Sequence, residues 1–92
     1  MDAARYAARM WETHPDVLVT DLGDELILMH AGQGLMFSLN GPGRVAWQAL
    51  PGSARDLASA LATAFNVDPQ QAQADAEALL ADLAARGVVR RA

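Results

Sequence analysis

The chain of 92 residues contains no cysteine and no lysine, and aromatic residues make up only 5% of it. Without cysteine there is no disulfide, no thiolate zinc site and no thiol nucleophile. All seven basic residues are arginine, against eleven acidic ones, for a formal net charge of −4. That balance argues against a nucleic-acid binder, which needs clustered positive charge to replace phosphate counterions. No apolar run approaches the roughly 20 residues of a membrane span. The first eleven residues lack the apolar core of a secretory signal. These absences suit a cytoplasmic protein with no membrane contact.

What is present is a 52% hydrophobic, 20% charged chain long enough for one domain. Residues 1–14 read as a leading segment, a tail or a short helix, with Ala3, Tyr6, Ala7 and Met10 at helical spacing. Residues 15–92 read as the domain proper.

Three short strands are expected first, over 17–20, 25–30 and 34–39. Gly23-Asp24 and Gly32-Gln33-Gly34 separate them as hairpin signals, giving an antiparallel meander with 25–30 in the middle. The period then changes. Asn40-Gly41-Pro42 opens a short helix that ends at Pro51-Gly52. Ser53-Ala54-Arg55-Asp56 has the form of a capping box ahead of Leu57, Leu61, Ala64 and Phe65. Asp68-Pro69 starts a last helix with Ala72, Ala76, Leu79, Leu80 and Leu83 on its buried face and Gly87 as its stop. Val88-Val89 can add a short extended piece. The order βββααα implies an α+β fold in which helices cover one face of the sheet.

Chemistry-bearing constellations are missing. His14 and His30 lack the spacing of a metal pair, and His30, at a strand end, is expected to be exposed. Ser38, Ser53 and Ser59 sit in no nucleophile elbow, and the Gly-rich turns match no phosphate cradle. The chain therefore reads as a non-enzyme with no metal and no cofactor.

The third strand stands out instead. In a meander it is an edge, and soluble proteins usually blunt edges with charge or proline. The first strand is bracketed by Asp16 and Asp21, whereas 34–39 holds neither charge nor proline. Strand addition by an extended peptide is the standard use of such an edge. In the last helix Asp68, Asp75 and Asp82 recur every seven residues and share a face. Beside the edge they would give a groove with an apolar floor and an acidic rim; alone they are ordinary solvated charges. Leu35, Phe37 and Leu39 share one face of the strand and suit a core, while Met36 and Ser38 point the other way.

Three stretches carry a resemblance: Asp21-Leu22-Gly23-Asp24-Glu25, Leu35-Met36-Phe37-Ser38-Leu39-Asn40, and Gly43 through Trp47 to Leu50-Pro51-Gly52. With Asp75, Leu79, Leu80, Leu83 and Gly87-Val88 in order behind them, the chain resembles the PqqD-like family, which includes the RiPP recognition elements. The resemblance spans about residues 16–89. It implies a winged helix-turn-helix-like fold. It also implies that a precursor's leader peptide adds as a fourth strand in a groove closed by the last helix. Carried over, that groove would be lined by Leu35, Met36, Phe37 and Ser38 and by Ala72, Asp75, Ala76, Leu79 and Asp82. The implied partners are the leader peptide and a separate modifying enzyme, such as a leader peptidase, a cyclase or a radical-SAM enzyme. The chain has Met36 where the family often has an aromatic. It also lacks the Pro-Glu-Gly-like stretch of members that make the quinone cofactor, and is more similar to free-standing elements of lasso-type or radical-SAM peptide pathways. An unblunted edge is compatible with a monomer or an edge-paired homodimer. The competing reading is a winged-helix DNA-binding regulator, which needs Arg or Lys on its recognition helix; residues 68–85 have none.

Overall fold

The structure, a computed structural model, describes residues 9–92. The elements run β1 (Met10–Thr13), β2 (Val17–Asp21), β3 (Glu25–His30), β4 (Leu35–Asn40), α1 (Gly41–Gln48), β5 (Gly52–Ser53), α2 (Ala54–Phe65), α3 (Pro69–Ala85) and β6 (Val89–Arg91). The fold is α+β and winged helix-turn-helix-like.

The expected meander is present as a sheet in the order β2-β3-β4. Its register pairs Leu28 with both Val19 and Phe37, and Met29 with both Leu18 and Met36. Because side chains alternate across a strand, the register sorts residues by face. Leu26 and Leu28 are buried on the inner face, where Phe37 and Leu39 pack beside them against Trp47, Leu83, Val88 and Val89. Leu18, Met29 and Met36 line up across the outer face and are 63%, 42% and 62% exposed.

A second sheet, β5-β1-β6, was not expected as a sheet, and only β6 overlaps the short extended piece expected at Val88-Val89. Residues 10–13 of the leading segment are a strand here and not part of a helix: Met10 and Trp11 pair with Ser53 and Gly52, and Trp11 to Thr13 with Arg91 to Val89. The remainder of the short-helix expectation, on Ala3, Tyr6 and Ala7, lies outside the described residues.

The helices follow their start and stop signals. Ser53 Oγ accepts from the Asp56 amide at 3.2 Å and Asp56 Oδ2 from the Ser53 amide at 2.9 Å, a complete capping box. Asp68 Oδ2 accepts from the Gln70 and Gln71 amides at 3.0 and 3.3 Å. At the end of α3, Gly87 takes φ +74°, and the Val88 and Gly87 amides donate back to the Leu83 and Ala84 carbonyls. That paired closure turns the chain from α3 directly into β6. A second core forms where α1, α2 and α3 meet, around Ala46, Leu57, Ala58, Leu61, Ala72, Ala76 and Leu80. Ala64 and Phe65, expected on the buried stripe of α2, are exposed; Leu57 and Leu61 are buried as expected and Ala58 joins them, because α3 approaches from that side.

His30 is a further correction: it is buried, 5% exposed, with its ring 4.8 Å from that of His14. The His14 Nδ1 accepts from the Asp16 amide at 3.0 Å, which orients that ring.

Candidate functional site: the groove between β4 and α3

β4 pairs only with β3, so its other edge is open. None of its six residues is charged or proline, and its exposure alternates, with Leu35, Phe37 and Leu39 half-buried and Met36, Ser38 and Asn40 exposed. A row of backbone donors and acceptors is thereby presented without the charge that normally discourages pairing. β2, the opposite edge, carries Asp21 and is paired through it to Arg44 at 3.6 Å.

α3 forms the facing wall. At 100° per residue, its 17 residues divide into three faces. Ala72, Ala76, Leu80 and Leu83 face the core and are buried. Gln73, Glu77, Leu80 and Ala81 border one flank, where a hollow of about 520 Å³ is completed by Arg9, Trp11, Ala54 and Arg55. Asp75, Ala78, Leu79 and Asp82 lie on the opposite flank, toward β4. There a shallow depression of about 380 Å³ is lined by Pro42, Asp75, Ala78 and Leu79.

The two ends of the groove differ. At the Asn40 end, Pro42, Ala78 and Leu79 leave an open apolar depression. At the Leu35 end, the β3–β4 turn meets the last turn of α3: a Cβ on Gly87 would fall 2.6 Å from Gln33 Nε2. Beside it the Arg86 guanidinium lies over the Phe37 ring, 4.5 Å from its centroid. Arg86 Nε also contacts both Asp82 carboxylate oxygens, at 3.3 and 3.4 Å. α3 thus runs antiparallel to β4, with its middle turns, Asp75 to Leu79, beside Pro42 and its end beside Phe37.

The expected site residues separate accordingly. Leu35 and Phe37 are half-buried on the inner face, Phe37 meeting α3 at Leu83 and Arg86, and Asp75, Leu79 and Asp82 stand on the facing flank. Met36 and Ser38 offer the groove only backbone, since their side chains point to the outer face. Ala72 and Ala76 do not line the groove: both are 0% exposed and locked between α2 and α3. Their small size permits the helices to approach closely, which is a packing role. The rim is also less acidic than the heptad of aspartates implies. Asp68 caps the helix, Asp75 accepts from Gln71 Nε2 at 2.8 Å, and Asp82 is paired with Arg86. Pro42, Ala78 and Arg86 are groove residues that the sequence reading missed. Helical spacing from Asp75 and Asp82 would have placed Ala78 and Arg86 on the same flank.

No group of three or more His, Asp or Glu among the described residues could hold a metal. No helix among them is long and apolar enough to cross a membrane.

These features define a class: a small winged helix-turn-helix-like domain with an unpaired edge strand facing a helix. The family model for coenzyme PQQ synthesis protein D (PqqD) matches residues 25–89, and the chain belongs to the PqqD family. Two solved structures share the fold. One, TbiB1 in complex with the TbiA(beta) leader peptide, is 22% identical, with a TM-score of 0.80 over 86% of this chain and 94% of that one. The other, a lasso peptide synthetase B1 complexed with the leader peptide, is 23% identical, with a TM-score of 0.76 over 87% and 96%. A search of curated protein sequences finds no match.

Proposed function

We propose that this chain binds the leader segment of a ribosomally synthesised precursor peptide and delivers it to a separate modifying enzyme, without chemistry of its own. The observation that carries this reading is the uncharged, unpaired edge of β4 facing α3, in a fold shared with two proteins solved as leader-peptide complexes. The leader adds as a strand along β4. Backbone hydrogen bonds supply affinity that tolerates sequence variation, and the side-chain sites along α3 supply selectivity. Leu35 and Phe37 on the strand, and Asp75, Leu79 and Asp82 on the helix, are the contacts; Met36 and Ser38 contribute backbone.

Holding the precursor near its enzyme raises its effective concentration there. That enzyme is a leader peptidase, a cyclase or a radical-SAM enzyme, in the cytoplasm. The DNA-binding reading is disfavoured by α3, which carries Asp75, Glu77 and Asp82 and no Lys or Arg, so a phosphate backbone would be repelled.

The test is titration of the protein with synthetic leader peptides encoded beside its gene, followed by amide NMR shifts. Saturable shifts centred on residues 35–40 and on the Asp75–Asp82 flank are expected. Absence of binding by every neighbouring leader would remove the leader-binding reading.

A further inference from the structure

Arg86 is the one cation on the groove flank of α3 or its closing turn among the described residues. Its backbone is the C-cap of α3, but capping by the main chain does not fix the side chain, which lies across an aromatic ring on the inner face of the open strand. A guanidinium carries five N–H donors. Here only Nε is engaged, by Asp82. The terminal nitrogens have no hydrogen-bond partner among the described residues, and the side chain is 43% exposed. The fork is therefore already oriented by Phe37 and Asp82 while most of its donors remain available. Carboxylates are the groups that such a fork binds best, through paired N–H···O bonds.

We propose that Arg86 is a specificity-determining residue that receives a carboxylate side chain of the bound peptide. This rests on the reading of the β4–α3 groove as the peptide site. The carboxylate sits at the strand position lying over Phe37, on the side facing α3. At the other end of the groove the depression of Pro42, Ala78 and Leu79, with Asp75 at its edge held by Gln71, takes a bulky apolar side chain. The two ends thus differ in chemistry, and the pair sets the direction and register of a strand whose backbone bonds alone would tolerate a slip.

The experiment uses the whole chain and two sets of peptides. One set consists of the synthetic leaders encoded beside the gene. The other is an uncharged extended peptide with one bulky apolar residue, in which a glutamate, or its isostere glutamine, is moved position by position. The readout is the ratio of glutamate to glutamine affinity at each position. A ratio of about fivefold at one position, modest because the site is partly exposed, is expected. Weaker preference should recur only at alternate residues. Raised salt should reduce the ratio. Arg86→Gln should bring it to about one, and Asp82→Asn, which removes the competing carboxylate, should raise it.

If peptides bind with shifts along β4 but the ratio is flat, or survives Arg86→Gln, the role of Arg86 is overturned and the groove stands. If no peptide of either set binds, both fall. Should Arg86→Gln fail to fold, the wild-type position scan and Asp82→Asn still decide.

Discussion

The two free edges of the meander solve the same problem in opposite ways. β2 is guarded: it ends in Asp21, which is tied to Arg44, and Asp16 stands just before it. β4 is bare of charge and proline over all six residues, yet it is not simply exposed, because α3 stands alongside it. A guarded edge repels any added strand, whereas a bare edge beside a helix accepts one and limits which. On the proposed reading, the third strand of the meander is the one that receives the peptide.

The sharpest way to break that contrast is proline. Successive N–H groups of a strand point alternately toward its neighbour and away. Of Leu35→Pro and Met36→Pro, one therefore removes a bond to β3 and unfolds the meander, and the other removes an edge donor. The folded one of the two should bind leader about a hundredfold more weakly, from the lost bond and the ring's bulk. Of Leu18→Pro and Val19→Pro on β2, the folded one should bind as wild type, read by calorimetric titration.

Adjacent residues of α3 sharpen it next. Leu80→Ala should destabilise the fold by about 2–5 kcal/mol in urea unfolding, because Leu80 is 4% exposed in the core. Leu79→Ala, on the half-buried flank, should lower stability less but weaken leader binding about tenfold. Gly87→Ala acts where edge and helix are joined. It forces a side chain into φ +74° and toward Gln33, and should cost about 1–2 kcal/mol in the same unfolding assay. The smallest effect is expected for Asp68→Ala, about 1 kcal/mol from the lost cap, with leader affinity retained.

Much of this contrast was legible in the sequence. The meander, the capping box at Ser53, the Asp68-Pro69 start and the Gly87 stop are local signals, written within a few residues of where they act, and each appears where expected. The open edge was legible too, from the absence of charge and proline in 34–39. The second sheet was not. Its strands are two to four residues long, too short for a periodic pattern, and Trp11 pairs with Arg91 across almost the whole chain. His30 reads as an exposed strand end because nothing local indicates that His14 will cover it. Ala72 and Ala76 are ambiguous for a related reason. A small residue on an apolar helix face can line a groove or admit a neighbouring helix, and only the position of α2 decides.

By itself, then, the sequence determined which segments are strands and helices in residues 17–86 apart from β5, which edge is left uncharged, and that disulfide and thiol chemistry are excluded without cysteine. Those properties depend on residue type and short-range spacing, and alternation and helical period express them directly. Only the tertiary structure decided which flank of α3 faces β4, that β1 and β6 close a second sheet, and that Arg86 rests on Phe37 beside Asp82. Each of these joins residues distant in sequence. Such contacts arise from the global burial of apolar surface, which no local pattern encodes.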